Sequence, residues 1–202
     1  MPKKNYHHGD LQTSLLRTAE ILLEEKGKDG VSLREVAKEA NVSHSAPYRH
    51  YKDKKALLAA LATKGFQELA DTLQQCEVKY SDDPLKLLFE SCNAYVKQAS
   101  KKPKRLDLMF GETFQPEDIT NELTEQSNRS FNQLLRIVHN GQAKNLFTST
   151  NPEELALFIW STVHGLSTLQ NTGHTQTFYQ DENQYQKLLN RIWETILNGI
   201  KK

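Results

Sequence analysis

The chain has 202 residues, 37% hydrophobic and 25% charged, with two cysteines and a formal net charge of +1. That length allows one large domain or two small ones with a real core, and no low-complexity tract or internal repeat interrupts it. The longest apolar run, 56–62, is far too short to span a bilayer, so no membrane partner is expected.

The charge is unevenly placed. Residues 1–66 hold 12 Lys/Arg against 8 Asp/Glu, whereas residues 67–202 hold 14 against 17. Between Ser43 and Lys55 the only acid is Asp53, set against Arg49, Lys52, Lys54, Lys55 and two histidines. A local basic excess of this kind is the footprint of a nucleic-acid surface, although a solvated basic face would look the same by charge alone.

The pattern reads as helix throughout, giving an all-α fold class. A first helix runs from Asp10 to about Lys26, with Leu11, Leu15, Ala19, Leu22 and Leu23 on one face and Gly27 as its stop. Ser32 and Glu35 form an S-x-x-E capping box, so a second helix starts at Leu33 and turns Val36 and Ala40 inward. Asn41 ends it, because Asn tolerates the left-handed conformation of a sharp exit. Val42 returns to the core, and Ser43 can cap a third helix over His44–His50. Helix, short turn and helix is the helix-turn-helix arrangement, whose second helix enters a DNA major groove.

The segment HSAPYRH lacks the Leu, Ile and Val stripe of a core helix. Ser45 can bond a base edge and the Ala46 methyl suits a thymine methyl, while Tyr48, Arg49 and His50 supply donors for phosphates or bases. Pro47 sits one or two positions later than a helix start prefers. Asp53 can cap the next helix, seating Lys54 at a helix N-terminus where a phosphate is favoured. That helix carries Leu57, Leu58, Leu61, Phe66, Leu69 and Leu73 and reaches about Lys79.

These residues resemble a family. GDLQTSLLRTAEILLEEKG, VSLREVAKEANVSHSAPYRHY and KDKKALLAAL, from about His8 to Phe66, are similar to the N-terminal domain of TetR-type transcriptional repressors. Asn41 stands where glycine is usual in that family. The arm KKNYHHGDL and the later Trp160, His164 and Gly165 resemble a subset with a Trp…His-Gly motif in the C-terminal half. The resemblance implies a DNA-binding domain over 1–66, with its helix-turn-helix at about 32–51, and a helical ligand-binding and dimerisation domain over 67–202. It implies DNA contacts from Ser32, Arg34, His44, Ser45, Ala46, Tyr48, Arg49, His50 and Lys54, to which Ser43 is added. The implied function is a homodimeric repressor that binds a palindromic operator in double-stranded DNA and is released by a small-molecule effector.

Beyond residue 80, Asp83-Pro84 opens a helix faced by Leu87, Leu88, Phe89, Cys92, Tyr95 and Val96. KKPKR at 101–105 breaks it before a short LDLMF segment, Gln115-Pro116 restarts the pattern, and Asn151-Pro152 opens ELALFIWSTVHGLSTL. A polar stretch at about 171–183 reads as a surface loop before the last helix. Leu155, Phe158, Ile159, Thr162 and Leu166, with Leu188, Ile192, Trp193 and Ile196, form stripes that suit either an intrachain core or a four-helix dimer interface; the resemblance favours the dimer. Phe89, Tyr95, Met109, Phe110, Phe114, Phe131, Leu134, Trp160 and His164 are the candidate lining of an effector pocket for an apolar or aromatic molecule. The same side chains would also serve an ordinary core.

Cys76 and Cys92 stand 16 positions apart with no C-x-x-C and no matching histidine spacing, so free thiols in a reducing cytoplasm are expected. No metal site, cofactor or catalytic residue is indicated, and no apolar h-region follows the basic N-terminus. No nucleophile elbow, zinc-protease or phosphate-loop motif supports an enzyme. The competing readings are a non-specific architectural DNA-binding protein and, further off, a helical enzyme.

Overall fold

The computed structural model describes residues 8–202, which fold into eight α-helices: α1 (His8–Lys26), α2 (Leu33–Glu39), α3 (Lys54–Tyr80), α4 (Pro84–Lys101), α5 (Pro103–Phe110), α6 (Asn121–Ala143), α7 (Pro152–Asn171) and α8 (Glu182–Ile200). The arm at residues 3–7 lies outside the described residues. Short 3-10 turns sit at Lys28–Gly30, Pro47–Arg49, Pro116–Asp118 and Gln176–Phe178. No described helix is long and apolar enough to cross a membrane.

The starts follow the expected capping chemistry. Asp53 Oδ1 accepts from Ala56 N at 2.8 Å, Asp83 Oδ1 accepts from Lys86 N at 3.0 Å, and Asn151 Oδ1 accepts from Glu153 N and Glu154 N at 2.8 and 3.1 Å. Pro84 and Pro152 open α4 and α7, where a missing N–H costs nothing. Ser32 Oγ accepts from Glu35 N at 3.1 Å, but the returning arm of the box is absent: the Glu35 carboxylate instead takes Lys26 at 3.1 Å.

Two compact units result. The first joins the chain up to Phe66 with Lys102–Ser127, and the second joins Gln67–Lys101 with Asn128–Lys202. Helix α3 thus supplies residues to both. The units part between Phe66 and Gln67 along α3, but the chain comes back to the first unit at α5 for a reason that lies in charge pairing. Glu20 on α1, 8% exposed, accepts from Lys64 at 3.0 Å, Lys102 at 2.9 Å and Arg105 at 2.5 Å. Glu24, one turn on, accepts the backbone N–H of Lys104 and Arg105 at 3.2 and 2.8 Å, capping α5 from outside. Leu108 and Leu123 join Leu15, Leu23, Leu57 and Leu61 in one core, with Met109, Phe110 and Phe114 packed against it.

In the second unit α4 lies along α7, and Asn171 Nδ2 donates to Ala99 O at 3.1 Å. Helix α6 is tied to the second half of α3 by Arg129 to Asp71 at 2.6 Å and to Gln74 at 3.0 Å. The chain closes where Phe147, fully buried, forms an isolated antiparallel bridge with Lys201. Gly141 lies against the Phe147 ring, leaving no room for a Cβ.

Candidate functional site

The segment expected to read DNA is not an α-helix. Residues 44–46 form a turn that runs into the 3-10 turn Pro47–Arg49. Proline accounts for this. In an α-helix residue 47 would donate to the Ser43 carbonyl, but Pro47 has no N–H, so Ala46 N takes that carbonyl at 2.9 Å. Arg49 N and His50 N continue the three-residue spacing onto Ala46 O and Pro47 O at 3.2 and 3.0 Å. Ser43 Oγ lies 3.3 Å from Ser45 Oγ and bonds no backbone N–H of the turn.

Asn41 takes φ 55°, the left-handed turn expected of it, and thereby sets the angle between α2 and the reading segment. His44, Ser45, Tyr48 and Arg49 are exposed, as are Ser32, Arg34 and Ser43, and His50 is half-buried with its Nε2 enclosed. Ala46 is a correction. At 7% exposure its methyl is part of the core, together with buried Pro47 and Tyr51, and cannot be offered to a base. Two small side chains therefore anchor the segment from beneath while the polar ones project.

Lys54 opens α3 and its Nζ reaches Asp29 O at 3.4 Å. The neighbouring Lys55 pairs with Asp118 at 2.7 Å; its hydrogen bond to that carboxylate raises its pKa and lowers that of Asp118. Sequence reading missed this brace because 63 positions separate the partners.

The candidate pocket residues divide between the units. Met109, Phe110 and Phe114 belong to the first unit's core, with Phe110 edge-on to Phe66 at 5.1 Å between ring centres. Within the second unit Phe131 meets Trp160 at 6.1 Å, and Trp160 meets His164 at 6.1 Å. Tyr95 joins them through its hydroxyl, 2.8 Å from His164 Nδ1. Where the Tyr95 hydroxyl donates to Nδ1, the neutral His164 ring carries its proton on Nε2. Burial pushes the Tyr95 phenol well above its ordinary pKa and the His164 imidazole below its own, so both stay neutral at pH 7. Phe89 stands with Trp193 instead, edge-on at 6.4 Å, and Leu134 is half-buried on α6.

The expected dimer residues also divide. Leu155, Ile159, Trp193 and Ile196 are at most 7% exposed within this single chain, so they are its own core; the Trp193 Nε1 donates to Asn93 at 2.9 Å. Phe158 is 49% exposed, and Thr162, Leu166, Leu188 and Ile192 are half-buried. A wide apolar stripe served two purposes, one inward and one outward. Cys92 is buried and its thiol is pushed up to about 12; Cys76 is half-buried and its thiol is likewise raised by burial.

A 19-residue first helix, a capped second helix, a left-handed exit at Asn41 and a projecting polar turn follow the order of a helix-turn-helix on an all-α frame. Comparison with known proteins agrees. Residues 15–61 match the family model described as bacterial regulatory proteins, tetR family, and residues 88–192, just over half of the chain, match the tetracyclin repressor-like C-terminal domain. The chain belongs to the TetR family of transcriptional regulators. It is similar over 99% of its length, and 100% of that chain, to a structure of a protein of unknown function from Rhodococcus sp. RHA1, with a TM-score of 0.86 and 32% identity. The fatty acid degradation regulator FadR from Bacillus halodurans shares the fold, with a TM-score of 0.73 at 17% identity over 94% of this chain and 100% of that one. In sequence it is 28% identical to the uncharacterized HTH-type transcriptional regulator YvkB of Bacillus subtilis over 121 residues, 60% of this chain and 61% of that protein. It is 40% identical to the transposon Tn10 TetC protein of Escherichia coli over 63 residues, 30% of this chain and 32% of that one.

Proposed function

We propose that the chain is a cytoplasmic repressor that binds a palindromic operator as a homodimer and lets go when a small molecule enters the second unit. The observation that carries the DNA reading is the projecting set His44, Ser45, Tyr48 and Arg49, held from below by Ala46 and Pro47 and followed by Lys54 at the start of α3. Ser45 and Arg49 would meet base edges, and Ser32, Arg34, Ser43, Tyr48, His50 and Lys54 would hold phosphates and fix register.

Dimerisation is supported by the face that α7 and α8 leave uncovered. Leu157, Phe158 and Leu169 are 53, 49 and 50% exposed, Leu166, Leu188 and Ile192 are half-buried, and a Cβ on Gly165 or Gly199 would meet nothing within 4 Å. Apolar residues with small ones between them suit a four-helix interface between two copies. Two reading turns brought into register would need half-sites one DNA turn apart or a multiple of it. The effector would act by population shift, binding a dimer with misplaced reading turns more tightly than the operator-bound form.

Selection of bound fragments from genomic DNA, followed by competition with random duplex at physiological salt, tests the reading. An operator-specific dimer prefers one palindrome over bulk DNA by ~1000-fold or more. Equal binding to random duplex refutes it. Lys54→Ala should weaken binding to every sequence and flatten the salt dependence. Ile192→Asp or Phe158→Asp should give a folded monomer; an unchanged dimer mass removes the interface.

A further inference from the structure

The reading segment is bonded in steps of three. Ala46 N donates to Ser43 O at 2.9 Å, Arg49 N to Ala46 O at 3.2 Å and His50 N to Pro47 O at 3.0 Å. A step of four returns at Tyr51 N, which donates to Pro47 O at 2.9 Å. An α-helix through this segment would need an N–H at residue 47 on the Ser43 carbonyl, and proline has none. Pro47 is itself buried, so its ring cannot meet DNA.

The bonding step decides how the exposed side chains stand relative to one another. From Ser45 to Arg49 an ideal 3-10 helix turns ~480° and climbs ~8 Å, whereas an α-helix turns ~400° and climbs ~6 Å. Arg49 is thus offset against Ser45 by ~80° and ~2 Å from the place an α-helix would give it. That rise alone exceeds half of the ~3.4 Å between successive bases of a strand. The Ser43 hydroxyl belongs to the same geometry: it caps no N–H and lies 3.3 Å from Ser45 Oγ, where it bears on how that hydroxyl is aimed. The phosphate seat has its own support, because Asp53 Oδ1 accepts from Ala56 N at 2.8 Å where Lys54 opens α3.

We infer that Pro47 determines sequence specificity without touching DNA: by holding the segment in steps of three it sets the offset between Ser45 and Arg49, and so selects the operator that is read. This rests on the reading of the segment as the base-contacting element, and it goes further by naming a positioning residue that tunes base choice.

The test compares the full-length parent with Pro47→Ala and Pro47→Leu. Both restore the N–H and favour helix, and leucine keeps more of the buried volume. Main-chain carbon chemical shifts over residues 44–50 should move to α-helical values in the variants. Each protein is put through selection on a random-sequence duplex library, and its binding to the parent-selected duplex and to random duplex is titrated across salt. The variants should hold random-duplex affinity and its salt slope within about two-fold. Their preference for the parent-selected duplex should fall at least about ten-fold, the scale of a misplaced base contact, and their own selections should return a different base at one or more positions. A merely structural role would lower both affinities together and leave the selected sequence unchanged. The inference is overturned if the variants select the parent's sequence with the parent's preference, if specific and random binding fall in step, if the chemical shifts stay at the parent's values, or if neither variant folds. A parent without any preference sinks the operator reading and this inference with it, whereas a selective parent with unchanged variants sinks only the role of Pro47.

Discussion

Glu20→Gln should cost the protein about 3 kcal/mol at neutral pH, and the cost should disappear in acid. Burial alone would raise the Glu20 pKa, but hydrogen bonds from Lys102 and Lys64 and the charge of Arg105 overcome it and pull the value from 4.5 down to about 2. Because the folded-state value is depressed, the carboxylate stabilises the fold above pH 4.5 and loses that contribution as the pH falls through about 2. A pKa unit is worth about 1.4 kcal/mol, so a shift of this size corresponds to roughly 3 kcal/mol. The figure agrees with the ~3–5 kcal/mol typical of breaking a buried pair, here leaving Arg105 at 1% exposure without its anion. The amide keeps an acceptor oxygen, which favours the lower end.

Urea unfolding of parent and variant at one protein concentration, followed by circular dichroism, measures the difference, and repeating it between pH 7 and pH 2.5 traces the loss. Other carboxylates titrate in the same range, so the quantity to follow is the parent-minus-variant difference. A variant within about 0.5 kcal/mol of the parent at pH 7, or a difference that stays constant into acid, would refute the view that charge pairing holds α5 in the first unit.

Three further outcomes follow from local geometry. Asn41→Gly should keep or slightly raise stability, whereas Asn41→Ala should cost about 1 kcal/mol, because φ 55° is left-handed; melting curves separate the two. Gly141→Ala should lower stability by roughly 1–3 kcal/mol, since the added methyl meets the buried Phe147 ring; no change would mean the ring can move away. Asp53→Ala removes the acceptor for Ala56 N, costing about 1 kcal/mol in denaturant titrations and weakening DNA binding through a frayed Lys54 seat.

Much of the fold was legible because its signals are local. Ser32, Asp53, Asp83 and Asn151 cap helices at the starts their spacing implied, and Asn41 makes the exit its side chain allows. The reading segment was legible in place and chemistry but not in conformation. Pro47 sits four residues after Ser43, and that single missing N–H converts the expected helix into a 3-10 turn whose Ala46 faces inward.

What composition and period could not show was the destination of each apolar side chain. Phe158 and Ile159 are neighbours of similar hydrophobicity on the same helix, yet one is 49% exposed and the other fully buried. The two differ by the rotation of one residue, and only the position of α4 against α7 decides which points inward. The return of α5 to the first unit was hidden for a different reason. Arg105 and Lys102 read only as part of a basic break between helices, and their partner Glu20 lies on α1, more than 80 positions earlier. A charge run predicts solvent only while no acid is available to bury with it; Glu20 and Glu24, one turn apart on the face of α1 that meets α5, supply that acid and so change what KKPKR means.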